Sequence, residues 1–488
     1  MSRIITNVQS LLATRVLNAN NASLNRALER ISTGLRINSG RDDPAGLIAS
    51  EALRQSKVAI TGAIDNANRA NNVVAVAEGG LQEVNALLLE LENLVDRSAN
   101  EAALSPDEVK ANQLQIDAIL QSINRVSDTT EFAGRKLLNG NFAFTVSGDT
   151  ATLYSQRISG VQINSAKIPE AGSRTVTISL LAPSEFAYVS GAGGNAADNA
   201  LSAASTLQVR GNYGTEILSF ASGTTMTQIA TAVNQSKELT GVSAVVSGTG
   251  ANAHVYFTST TYGSDALVSV ERLAGGFTLT GSGTNADDTG VDGTVTVNGA
   301  QANVQGLEVS VRSGSLSADF VLAASFATSA ATTPPTTTAF DITGGGAVFA
   351  ISPTVGLVGQ ETLGITSLST GSLGNGILGY VSSLQSGQTN DLDSKNFATA
   401  QRIIREAIDQ VSSLRGRIGA FQKDTLASTV NSLQVTYENT AAAESAIREA
   451  DFAVETSNLT RAQILVQSST AALQLANAGP QNVLALLG

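Results

Sequence analysis

Near the N-terminus apolar residues return every three or four positions: Ile4, Ile5, Val8, Leu11, Leu12 and Val16, continued with little drift by Leu24, Leu28, Ile31 and Leu35. This step is close to heptad spacing and puts the residues on one stripe of a helix. A helix running from Ile4 to Leu35 would be about 50 Å long, too extended for a compact core, so it needs a partner helix. A comparable series closes the chain: Val454, Leu459, Ile464, Leu465, Leu473, Leu475, Val483, Leu484, Leu486 and Leu487. The two ends are therefore expected to pair. Pairing covers one side of each helix, and the closing run LALLG presents more leucine than a two-helix seam can use. Each leucine left in water forgoes about 1.5–3 kcal/mol. Two readings follow: a terminal helix tucked onto its own domain, or ends that meet other copies and become ordered on assembly.

Composition removes most chemistry. Among 488 residues, 42% are hydrophobic but only 4% aromatic, Cys and Trp are absent, and His254 is the one histidine. No Cys/His zinc cluster, thiol nucleophile, Ser-His-Asp triad or His-Glu-x-x-His helix can be assembled from such a chain. Carboxylate-only chemistry stays formally open. A net charge of −12 disfavours nucleic acid and anionic membrane surfaces, which are held chiefly by Lys and Arg. The opening MSRIITNVQSLLATRV carries Asn7, Gln9 and Ser10 where a cleaved secretory signal needs an unbroken apolar stretch. No run reaches the roughly 18 apolar residues of a membrane span.

The chain divides into three parts. Up to about Asn141, and again from about Asp391, frequent charges and three- to four-residue apolar steps read as long amphipathic helices. Between them charges thin out, Gly, Ser and Thr rise, and alternating runs such as RTVTISLLA, AHVYFTST and GTVTVNGAQANVQGLEVSVRSG read as strands. The expected fold class is α+β, with helical ends and a β-rich insertion. The segment TSAATTPPTTTAF, Thr328 to Phe340, has a linker's composition.

The stretch INSGRDDPAGLIAS interrupts the first helical part with Gly40, Arg41, Asp42, Asp43 and Pro44. Pro44 suits the first position of a new helix, Asp43 is placed as its N-cap, and Asp42 adds charge near the positive end of the helix dipole. The pair of aspartates reads as a joint, since no histidine or second carboxylate cluster accompanies it. Further on, LSPDEV restarts a helix, with Ser105 as N-cap, Pro106 at the first position and Glu108 closing a capping box.

Specific residues carry a resemblance. SLNRALERISTGLRINSGRDDPAGLIASEALR, DTTEFAGRKLLNG and SAIREADFAVETSNLTRAQILVQSS followed by ANAGPQNVLALLG look like bacterial flagellin over roughly the first 140 and last 100 residues. The resemblance implies an inner coiled-coil domain from 1–42 and 450–488, a rod-like helical domain with a hairpin from 43–147 and 347–449, and outer β-rich domains from 148–346. Gly214 to Val270 is similar to a small module of flagellins and hook-associated proteins, set at about 206–272. The family implies a self-assembling homopolymer that is exported unfolded through the flagellar type III apparatus, has no cofactor or metal, and acts outside the cell. An export chaperone at the C-terminal helix, a filament cap and hook-associated proteins are implied as partners. A hook-filament junction protein is the nearest alternative, an adhesive role for the insertion is another, and an enzyme lacks a constellation.

One departure concerns innate recognition. Many flagellins present a Gln-Arg pair that contributes to recognition by the flagellin-sensing Toll-like receptor; here those positions are Leu89 and Glu90, while Leu94 is retained. An anion in place of a cation can reverse the sign of a contact. Weak or absent receptor activation is therefore expected, against the plainer reading of Leu89 and Glu90 as an ordinary buried and exposed pair. His254, a lone histidine expected on a strand, reads as structural.

Overall fold

A computed structural model describes residues 6–100, 104–148, 157–169, 172–195, 200–248, 253–279, 284–328, 336–376 and 378–485. Ile4, Ile5, Leu486, Leu487, the side chains of Val483 and Leu484, and most of the segment from Thr328 to Phe340 lie outside that description.

The long helices are α1 (Val8–Thr33), α2 (Pro44–Ser98), α3 (Pro106–Thr129), α4 (Met226–Gln235), α5 (Phe397–Ala420), α6 (Ser428–Arg448) and α7 (Phe452–Ala485). Their ends have identifiable chemical causes. Asn7 caps α1 by accepting from the Ser10 N–H at 3.0 Å, and Gly34 ends it at φ 72°, a left-handed conformation that costs glycine nothing. Ser105 and Glu108 form the expected reciprocal capping box on α3. In α2 the buried residues Ile60, Ala63, Ala67, Ala70, Val74, Ala77, Leu81, Val84, Leu88, Leu91 and Val95 are spaced alternately by three and four, each at most 2% exposed. Such a seam keeps facing one partner direction along the helix. Between α5 and α6 the seven residues Phe421–Ala427 widen into a π-helical turn.

Two compact units result: one from residues up to Ala70 with Ala350–Val355 and everything from Lys423 on, the other from Asn71–Phe349 and Gly356–Gln422. The sequence places divisions instead near 42 and 450. There the chain is tied together, since Leu35 bridges Glu449, the Arg36 N–H donates to Arg448 O at 2.7 Å, and the Ala450 N–H donates to Gly34 O at 3.0 Å.

In the second unit α2, α3 and α5 supply a helical core that includes Leu88, Ile116, Ile123, Ile404 and Val411, all fully buried. The β region is two nested bodies. The outer shell of the nest pairs Thr294–Val297, Arg174–Ala182, Thr336–Gly345 and Phe144–Gly148 in one sheet, and Glu308–Arg312, Leu316–Leu322 and Ile158–Ala166 in another. Alternate residues of both sheets, including Ile178, Val295, Phe320 and Phe340, fill the layer between them. Inserted between Ala182 and Thr294 is a module with its own core, to which α4 and the strands Ser205–Gly211, Val242–Ser247, His254–Ser259 and Leu267–Ala274 all contribute. That core begins at Ala187 and Val189 and reaches Ala286, so the module extends beyond the 206–272 expected from the sequence. Its extra strand Tyr188–Ala192 pairs with His254–Ser259, a partner remote in sequence.

Candidate assembly surface

Helices α1 and α7 lie antiparallel, as three polar contacts fix. The Asn7 side-chain amide donates to Ala476 O at 2.9 Å, the Asn20 amide donates to the Ser469 hydroxyl and to Leu465 O, and Arg30 Nη1 meets Glu455 Oε1 at 3.0 Å. On α1 the covered positions are Ser10, Ala13, Leu17, Asn20, Leu24, Ala27 and Ile31; on α7 they are Glu455, Leu459, Ala462, Val466, Ser469, Leu473 and Ala476. Both series alternate three and four, the coiled-coil step. Ala13, Ala27, Ala462 and Ala476 let the backbones approach, while Asn20 with Ser469 and Arg30 with Glu455 fix the register.

The apolar stripe read from the sequence therefore splits. Leu24, Ile31, Leu459 and Leu473 belong to the seam, and Leu35 is half-buried. The rest face outward: Val8 is 67% exposed, Leu11 63%, Leu12 51%, Val16 44%, Leu28 46%, Ile464 56% and Leu465 45%. Leu475, also outward, reaches 76%. Pairing of the two ends thus covers only part of the stripe. Hydropathy marks large apolar side chains, whereas the seam alternates them with small and polar ones. The polar seam residues carried a signal, because Asn20 and Ser469 stand at heptad positions among apolar neighbours.

At the joint, Asp43 caps α2, accepting from the Gly46 N–H at 2.9 Å. A Cβ on Gly46 would come within 2.4 Å of the Asp43 carboxylate and 2.7 Å of Ile37, so a side chain there would have to displace the capping carboxylate. Asp42 folds back on its own loop and accepts from the Ser39 N–H at 2.9 Å, the Ser39 hydroxyl at 3.0 Å and the Asn38 N–H at 3.3 Å. The Ser39 amide, then its hydroxyl, hold the Asp42 carboxyl below its ordinary value. Asp42 thus closes the turn over the buried Ile37, a role local charge alone does not reveal. Gly40 and Pro44 are exposed at the turn, and Arg41 is exposed and forms no ion pair among the described residues; Arg36 instead approaches Asp43 at 4.0 Å.

In the second unit Leu89 is 50% exposed and Glu90 is exposed, whereas Leu94 is buried at 6%. Leu89 is thus not the buried member of an ordinary pair. His254 sits on its expected strand, 6.4 Å from the Tyr256 ring. Among the described residues no group of three or more His, Asp or Glu is placed to hold a metal ion, and no helix is long and apolar enough to cross a membrane.

Comparison with known proteins bears on these helices directly. Residues 4–143 match the bacterial flagellin N-terminal helical region, and residues 402–487 match the bacterial flagellin C-terminal helical region. Flagellin E of Vibrio cholerae is 27% identical over 490 residues, covering 99% of this chain and 98% of that protein. The B-type flagellin of Pseudomonas aeruginosa is 29% identical over 552 residues, covering 99% of each. Among solved structures, the flagellar junction protein FlgL from Legionella pneumophila is 13% identical with a TM-score of 0.28, covering 82% of this chain and 99% of that one. With its two helical ends matched in order and relatives spanning its length, the chain belongs to the bacterial flagellins, structural subunits of the flagellar filament.

Proposed function

We propose that the outward stripe on α1 and α7 is the polymerising surface of this filament subunit, and that copies exported unfolded through the flagellar type III apparatus assemble by burying it, giving a filament that serves swimming. One observation carries the reading: the two helices already satisfy each other through their own seam, yet Val8, Leu11, Leu12, Ile464, Leu465 and Leu475 remain 45–76% exposed. Apolar side chains gathered in this way call for a partner surface. A second copy supplies one, since identical subunits repeat the same stripe. The joint at Gly40–Pro44, the export chaperone on the C-terminal helix, the filament cap and the hook-associated proteins fit the same reading as partners or contacts of these ends. An innate receptor would meet Glu90 where the family commonly offers a cation, so recognition there is weak.

Two deletions test the division of labour. Removing about 148–346 should leave a subunit that still assembles, whereas removing the last thirty or so residues should leave soluble monomer. Loss of assembly on the first deletion, with the helical core intact by circular dichroism, would show that the polymerising surface had been misplaced.

A further inference from the structure

Two chain crossings connect the nested module to the sheets beneath it: residues 183–187, between strands Arg174–Ala182 and Tyr188–Ala192, and residues 290–293, between Asn285–Thr289 and Thr294–Val297. Two such crossings, left alone, make a hinge. Here they are bonded to each other, with the Glu185 N–H donating to Val291 O at 2.8 Å and the Val291 N–H donating to Glu185 O at 3.1 Å. Below them Ser184, 1% exposed, donates its hydroxyl proton to Gly306 O at 2.7 Å and accepts from the Gly293 N–H at 3.0 Å. Its own N–H donates to Ala327 O at 2.8 Å.

The module's 261–265 loop reaches down to the 305–307 turn of the sheets, and one carboxylate holds both. Asp292 Oδ1 accepts from the Gly306 N–H at 2.7 Å on the sheet side and from the Ser264 N–H at 3.1 Å on the module side, while Oδ2 accepts from the Ser264 hydroxyl at 2.6 Å. Gln305 adds a bond to Asp265 at 2.7 Å, and the Gly263 N–H donates to Glu185 O at 3.0 Å. The loops meet at backbone distance. A Cβ on Gly263, which has φ +86°, would lie 2.2 Å from Asp292 Oδ1 and 2.5 Å from the Gly306 backbone. A Cβ on Gly306, at φ +62°, would lie 2.6 Å from Tyr262 O. Outside this contact the Phe186 ring sits edge-on to Tyr188 and Tyr262 at 6.3 and 5.9 Å, closing the seam with aromatic surface.

We propose that these segments form a locked joint, with Asp292 as the latch that fixes the nested module in a single orientation on the sheets. Charge-assisted bonds to a carboxylate are about twice as strong as neutral ones, and this carboxylate is the group that bonds a loop of each body at once. The consequence is that the module is carried on the subunit as a fixed projection, where a two-strand tether would let it swing.

Because the natural chain has no cysteine, Thr231→Cys on α4 and Gln301→Cys on the sheets give a unique pair of exposed labelling sites in the full chain. Nitroxide labels there should report one narrow distance distribution, and adding Asp292→Ala should widen it at least twofold. Amide protection of the module strands Ser205–Gly211 and Leu267–Ala274 should stay as in the parent, which separates release of the joint from unfolding. If Asp292→Ala unfolds the module, Ser264→Ala takes its place, removing the Oδ2 bond alone, and should widen the distribution by a smaller but measurable amount. A parent distribution that is already broad overturns the proposal, as does a narrow one that persists in the folded variants.

Discussion

Leu475 is the outward residue that gives the most decisive perturbation. In the monomer it is 76% exposed, so Leu475→Ala removes little existing contact and keeps a strong helix former in α7. The melting temperature of the monomer should therefore hardly move. In the assembled state the side chain has about three quarters of its surface still to bury, so its loss should weaken each subunit's addition by about 1–2 kcal/mol. That corresponds to a critical concentration for seeded growth about tenfold higher. The informative contrast is Ala462→Leu in the seam, where a 6% exposed position has no room for the larger side chain. Overpacking of this kind costs about 1–3 kcal/mol and should destabilise the α1 and α7 pair within the monomer. Sedimentation of seeded growth reactions gives the critical concentration, and far-ultraviolet circular dichroism gives the melt. An unchanged critical concentration for Leu475→Ala, or a monomer melt lowered as much as by Ala462→Leu, would refute the separation of seam from outward face.

Other outcomes follow from the same geometry. Arg30→Met leaves Glu455, whose side chain is 8% exposed, without its partner, and should weaken the α1 and α7 pair by about 1.5–3 kcal/mol, read by thermal melting of the terminal helices. Leu88→Ala, at a fully buried position of the α2 seam, should cost about 2–5 kcal/mol in chemical denaturation while leaving the terminal pair intact. The Asp42 carboxyl is held below its ordinary 3.8 by the Ser39 amide and hydroxyl, so its closure of the joint is fully present above that pH and is lost as pH falls through the lowered folded value. The Ser39 amide resonance should titrate with a midpoint below 3.8, and a midpoint at or above it contradicts the assigned bonds.

Much of this was legible because it depends on local chemistry. Pro44 with Asp43, and Ser105 with Pro106 and Glu108, announce helix starts whatever the rest of the chain does, and both caps form. Long three- and four-residue periodicity likewise announces long helices. What periodicity cannot rank is which of two faces meets the nearer partner. The stripe of Val8, Leu11, Leu12 and Val16 carries more hydropathy than Ala13, Leu17 and Asn20, yet the latter form the intramolecular seam, where Ala13 permits close approach and Asn20 finds Ser469. The full extent of the nested module's core is hidden from the sequence for a different reason. Its first strand, Tyr188–Ala192, is held by His254–Ser259, and pairing across such a separation leaves no local trace. Leu89 shows a third limit, since a helix exposes leucine as readily as it buries one when the neighbouring position Leu88 already fills the core.

Hydroxyl-radical footprinting of side chains in monomer and filament tests the central claim most directly. The account predicts that Leu11, Leu12, Leu465 and Leu475 react readily in the monomer and become strongly protected in the filament, while Leu24 and Leu473, already half-buried between α1 and α7, change little. Equal reactivity of Leu465 and Leu475 before and after assembly would contradict it, and would move the polymerising surface away from the ends of the chain.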